Sequence, residues 1–228
     1  MGKYFLCILT LTAAIDTQAE EIEWPAYGGA PGGGHYTSAT QIDKSNVERL
    51  VQAWTHRSGD YRVGTSLLTE GGRGNPSSSF MVTPIMVKDT LYYCTPFNRV
   101  FALDPATGKE RWVFDPQVDM DKELLTNCRG VSSWSDADVT DGECGHRIYL
   151  GTHDARLIAL DADTGKKCPD FAGGGELDLT EGLTDHGPGD YGVTSAPAII
   201  GDLIVTGAFV TDSLRPDVPA GVVRAYNI

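Results

Sequence analysis

Little in this 228-residue sequence favours helix: beyond residue 19 no stretch keeps a long 3.6-residue hydrophobic period. Long apolar runs are equally scarce. The one candidate, from Tyr4 to Ile15, is too short to span a bilayer comfortably. Basic residues are few, 18 Lys and Arg against 31 Asp and Glu. The formal net charge of −13 repels nucleic acid and anionic lipid, so neither is expected as a partner. The five histidines show no HExxH or paired spacing, and no two cysteines have the close CxxC spacing of a zinc site. The glycine-rich GGAPGGGHY is followed by no GK[ST], so it reads as a loop and not a phosphate cradle. Low-complexity tracts are absent. With 41% apolar residues, 27 Gly and 12 Pro, the chain is a turn-rich globular protein with a real core.

The first residues have the layout of a secretory signal peptide: Lys3, an apolar stretch, then Thr17-Gln18-Ala19 with small residues three before and one before a cut. Cleavage is expected after Ala19, giving residues 1–19 as signal and 20–228 as the domain. The cut removes one Lys and one Asp, so the charge stays at −13. Cys7 leaves with the signal. Cys94, Cys128, Cys144 and Cys168 then meet an oxidising compartment, where two disulfides can form in any of three pairings.

What the sequence does contain is a phrase written twice. FALDPATGKERW begins at Phe101, and IALDADTGKKC begins at Ile158. Each follows short runs of β-branched and aromatic residues broken by turn signals, as in MVTPIMVKDTLYYCTPFNRV and HRIYLGTHDARL. In the phrase, the small Ala102 or Ala159 ends a closely packed strand. Asp104 or Asp161 bonds the following turn, and Thr-Gly makes it, with Gly free to take a positive φ. A third block, VTSAPAIIGDLIVTGAFV, leads to Ala225. The alanines lie 57 and 66 residues apart. A four-stranded unit at such a period reads as a β-propeller blade; a β-sandwich with two similar hairpins is the blander option. The predicted strands A to D cover residues 80–87, 90–95, 99–104 and 109–114 in blade one. Blade two takes 129–134, 147–152, 156–161 and 166–171, and blade three 193–200, 203–208 and 222–227. The one helical signal is KSNVERLVQAW, where Ser45 and Glu48 can cap a turn.

These phrases resemble the exported quinoprotein dehydrogenases that use pyrroloquinoline quinone (PQQ). ALDPATGKERW is similar to that family's tryptophan-docking motif, complete at Ala102, Asp104, Thr107, Gly108, Lys109, Glu110 and Trp112. CRGVSSW at Cys128, VTPIMV, DARLIALDADTGK and VTDS resemble its membrane glucose and quinate dehydrogenase branch. The resemblance implies an all-β, eight-bladed propeller with the quinone and a calcium or magnesium ion near the axis. RLVQAWTHRSGD, with Trp54, resembles the N-terminal strand that closes such a ring. The chain is accordingly expected to be the N-terminal part of a longer enzyme: a partial propeller of about three blades plus that strand, inactive by itself.

The resemblance also implies site residues. Arg129 grips a cofactor carboxylate, Thr194 donates a hydroxyl hydrogen bond to the cofactor, and Asp212 is a metal ligand. Blade topology puts Arg129, Thr194 and Asp212 on one rim, together with Phe97, Asn98, His153, Asp154 and Ser213. The implied reaction oxidises an alcohol, polyol or sugar hydroxyl in the periplasm and passes electrons to a membrane quinone or cytochrome. The base that takes the hydroxyl proton is assigned to no residue of this chain. Met81, Phe97 and Ser213 depart from Glu, His and Asn of some relatives, which puts glucose specificity in doubt. Pro169 replaces the Trp of the second docking motif. The rival reading is a non-catalytic envelope propeller that scaffolds protein contacts. The same topology places Cys94 and Cys128 at the rim that holds Arg129 and Cys144 and Cys168 at the opposite one, which selects the pairings Cys94–Cys128 and Cys144–Cys168.

Overall fold

The computed structural model describes residues 22–30, 32–64, 77–123, 126–136, 138–139, 142–184, 186–212 and 216–228. The expected signal peptide, residues 1–19, and Ser213 lie outside the described residues. Among the described residues, apart from one 3-10 turn at Val47–Arg49, the regular structure is strand. In that turn Ser45 and Glu48 form no capping box. Both Ser45 donors go to Asp43 Oδ1 instead, and the Asn46 cap makes no side-chain bond to the turn.

Blade one is an antiparallel meander of Ile85–Val87, Thr90–Cys94, Val100–Leu103 and Glu110–Phe114. Its first hairpin turns on Lys88 and Asp89, both at positive φ, as a two-residue loop between twisted strands requires. Blade two is Ser132–Ser135, His146–Gly151, Arg156–Asp161 and Glu176–Asp178. Blade three has three strands among the described residues: Ala198–Ile200, Leu203–Thr206 and Arg224–Asn227. The all-β, partial-propeller expectation holds.

One strand differs. The predicted strand D of blade two, residues 166–171, is a loop in which only Lys167 bridges to Leu160. Cys168 is tied to Cys144, with Cα atoms 5.7 Å apart, and its N–H donates to Ala159 O at 2.9 Å. The disulfide therefore closes over strand C by folding the loop back, and the fourth strand forms later, at Glu176–Asp178. Cys94–Cys128, with Cα atoms 5.9 Å apart, joins strand B of blade one to the start of blade two.

The inner strands B and C of blades one and two are buried on both faces, while the outer strand D of each is half-buried or exposed. In blade one, Tyr92, Cys94, Val100 and Ala102 face blade two, while Tyr93, Phe101 and Leu103 face the other way, towards Trp54. In blade two, Ile148, Leu150, Ile158 and Leu160 face blade one. Tyr149, Leu157 and Ala159 face blade three. The period of two thus sorts a nearly continuous apolar run into two interfaces.

The two copies of the repeated phrase have the same geometry. Asp104 Oδ1 accepts from the N–H and hydroxyl of Thr107 at 2.8 and 2.7 Å, and Asp161 Oδ1 from those of Thr164 at 2.9 and 2.6 Å. Gly108 and Gly165 both sit at φ +71°. Trp54 lies over Gly108 and donates its indole N–H to Pro105 O at 3.0 Å; Trp112 lies over Gly165 and donates to Ala162 O at 2.8 Å. Residues 49–60, expected as a closing strand, form no ladder among the described residues. They hold to blade one by side chains: Trp54, His56 on Tyr93 Oη, and the Asp60–Arg99 ion pair.

Candidate functional site

The rim where strands A begin is organised by the main chain. Thr83 N–H donates to Arg129 O at 3.0 Å, and Arg129 N–H donates to Thr194 O at 2.8 Å. One residue from each of three consecutive blades is thus linked in a row. Arg129 lies just before strand A of blade two, which starts at Ser132 and not at 129 as expected, because its own backbone bonds are spent on the two neighbouring blades.

Arg129 and Thr194 come together as side chains too. Arg129 Nη1 donates to Thr194 Oγ1 at 2.7 Å. The guanidinium is exposed and has no carboxylate partner among the described residues. On a protein of net charge −13, a guanidinium left without a carboxylate is an open place for an acidic group, which it can grip in bidentate fashion. Asp212 is also exposed, makes no hydrogen bond or ion pair among the described residues, and shares none with Arg129 or Thr194. Its free oxygens suit a hard divalent cation.

A buried polar cluster gathers around Asn127, two residues before Arg129. Asn98 Oδ1 accepts the His153 N–H at 2.9 Å, and His153 Nε2 faces the backbone of Asn127. Three buried atoms there, Asn98 Nδ2, Asn127 Oδ1 and His153 Nδ1, have no partner. An unmet buried polar atom costs about 1–3 kcal/mol, so this cluster calls for a polar occupant. Burial pushes His153 down to about 4, against the opposing pull of its bond to Asn127. Sequence reasoning placed Asn98 and His153 on the rim through their positions after strand B. It missed their burial, since a polar pair in a turn reads as solvated.

The substituted positions take other roles. Met81 is exposed, and its sulfur accepts from Asn127 Nδ2 at 3.5 Å. Phe97 lies under the Arg62 guanidinium, 5.4 Å from the ring centroid. A pocket of about 430 Å³, lined in part by Asp119, Glu123, Asp154, His186 and Tyr191, includes none of Arg129, Thr194 and Asp212.

Known proteins share this arrangement of blades. Residues 24–228 match the family model described as PQQ: glucose/ethanol/alcohol dehydrogenase, beta-propeller domain. The quinoprotein glucose dehydrogenase of Escherichia coli is 38% identical over 96% of the chain and 27% of its own length. The quinate/shikimate dehydrogenase (quinone) of Acinetobacter baylyi is 34% identical over 94% of the chain and 27% of its own length. Among solved structures, the quinohemoprotein alcohol dehydrogenase of Comamonas testosteroni superposes with a TM-score of 0.66 at 25% identity, covering 93% of this chain and 26% of that one. The chain thus spans about 27% of the length of these curated relatives. The family match across nearly the whole chain and the blades it predicts agree, and the chain belongs to the PQQ-dependent glucose/ethanol/alcohol dehydrogenase β-propeller family.

Proposed function

We propose that this chain supplies one wall of a PQQ pocket in a periplasmic dehydrogenase that oxidises a hydroxyl group of an alcohol, polyol or sugar. The observation that carries the reading is Arg129: exposed, without a carboxylate partner among the described residues, and held in place by main-chain bonds to two neighbouring blades. In this reading Arg129 binds a cofactor carboxylate, and Thr194, already its partner, orients the guanidinium and offers its hydroxyl to the cofactor. Asp212 supplies one oxygen ligand to a calcium or magnesium ion. PQQ, when bound, supplies the two-electron acceptor that no side chain of the protein provides. Electrons leave to a membrane quinone or a cytochrome. Export rests on the Lys3–Ala19 segment. A non-catalytic scaffold is the weaker alternative, because it gives no reason to leave Arg129 without a carboxylate.

The test is a titration of the protein with PQQ in the presence of Ca2+, followed by cofactor absorbance and fluorescence. Saturable binding that is lost in Arg129→Ala but kept in Arg99→Ala supports the pocket. Equal binding by both variants places the cofactor elsewhere.

A further inference from the structure

Asp190 has no role in the arrangement above, yet it is 2% exposed. A carboxylate this buried must have its hydrogen bonds met. Its Oδ2 accepts from Gly187 N–H at 2.7 Å, which closes its own turn. Its Oδ1 accepts from the Thr211 hydroxyl at 3.0 Å, and its carbonyl oxygen accepts from Thr211 N–H at 3.2 Å. Thr211 is itself 5% exposed and is the residue before Asp212.

The stretch that follows Asp190 reaches the other half of the site. Tyr191 and Gly192 pair antiparallel with Val210 and Phe209. Val193 N–H donates to Thr152 O at 2.9 Å, and Thr194 then receives both the backbone and the side chain of Arg129. Gly192 is wedged so tightly that a Cβ there would lie 2.2 Å from His153 O and 2.6 Å from the Phe209 ring. One short strap, residues 187–194, therefore carries Thr194 at one end and grips the segment that precedes Asp212 at the other.

The geometry points to Asp190 as a positioning residue. Through Thr211 it fixes the backbone from which Asp212 presents its carboxylate, and so sets the distance between the metal ligand and the Arg129–Thr194 pair. This inference rests on the reading of Asp212 as a metal ligand. Residues that orient a ligand without touching the ion typically change metal affinity by about 10–100-fold when lost.

The experiment measures Ca2+ affinity by calorimetry on the PQQ-loaded protein, with five forms: wild type, Asp212→Asn, Asp190→Asn, Thr211→Val and Thr211→Ser. Hydrogen exchange at the backbone amides near residue 211 is read in parallel. The expected result is loss of Ca2+ binding in Asp212→Asn. A drop of about tenfold is expected in Asp190→Asn and Thr211→Val, with faster exchange near residue 211, and recovery in Thr211→Ser, which keeps the hydroxyl. Thr211→Val leaves the buried carboxylate in place, so it reports even where Asp190→Asn fails to fold. Should Asp212→Asn lose the ion while Thr211→Val binds it like wild type, the positioning role is overturned and the ligand reading stands. Should Asp212→Asn bind Ca2+ normally, the ligand reading fails and the positioning role goes with it.

Discussion

Trp112 covers Gly165 so closely that a Cβ at that glycine would lie 2.6 Å from the indole ring. The glycine is also at φ +71°, so it meets two demands at once: a left-handed backbone and a bare face for the ring. Gly182 separates them. It sits at φ +77°, and a Cβ added there would meet nothing within 4 Å. Gly182→Ala is expected to cost only the backbone term, about 1 kcal/mol. Gly165→Ala adds a steric term and is expected to cost roughly 2–3 kcal/mol, with a shifted tryptophan emission. Chemical unfolding of the two variants checks this. Equal destabilisation would mean that the ring contact contributes nothing.

The disulfides close segments with sequence separations of 34 and 24 residues. Chain-entropy reasoning assigns each roughly 3.5–4 kcal/mol of stabilisation at 25 °C. Non-reducing peptide mapping should recover Cys94 with Cys128 and Cys144 with Cys168, and reduction should lower the melting temperature by many degrees. A peptide joining Cys94 to Cys144 would contradict the fold.

Two buried imidazoles make the protein acid-sensitive. Burial lowers both His146 and His153 from 6.5 to about 4; at His146 the charge of Lys88 adds to the effect. The unfolded chain then takes up protons first as pH falls. The stability tied to these groups is complete above about pH 6.5 and is lost between there and about pH 4, on the order of 3 kcal/mol for each. Urea midpoints should fall between pH 7 and pH 4.5, and His146→Gln should flatten part of that slope. Midpoints that stay level over this range would show that the two histidines are not buried in the neutral form.

At the rim, Arg129→Lys keeps the charge but loses the planar fork. PQQ affinity is expected to fall roughly 10–100-fold in this variant, as for the loss of a charge-assisted hydrogen bond. Thr194→Val, which removes the Oγ1 that holds Nη1, should show a smaller loss. Equilibrium dialysis with PQQ gives both numbers. Retained affinity in Arg129→Lys would show that the site needs a positive charge and not a bidentate donor.

Much of this fold was legible because its signals repeat. Strands B and C of the first two blades are short runs of β-branched, aromatic and other apolar residues bounded by turn residues, and the phrase at Asp104 and Asp161 carries its own turn chemistry. The reading failed where the copies diverge. Lys166 follows Thr-Gly just as Lys109 does, but the Cys144–Cys168 bond and Pro169, which has no N–H to give to a ladder, divert the chain into a loop. Arg129 and Thr194 were singled out through a family phrase and through topology, and the structure brings their backbones and side chains into contact. Asp190 had no such signal: in GPGDYG it looks like any exposed turn aspartate. Only the packing of residues 209–211 against it reveals a buried anchor.

The two docked tryptophans also set a direction for synthesis. Trp54 bonds to a carbonyl 51 residues later, and Trp112 to one 50 residues later. In each case the ring leaves the ribosome before the glycine that receives it. A blade completed at one moment therefore waits for a single further blade's length of chain, and the arrival of that turn locks it. Assembly can advance from the N-terminus in steps of about one blade, each step sealed by one indole. The longest search any anchor must make is short, which limits the time that apolar sheet faces stand open to other chains.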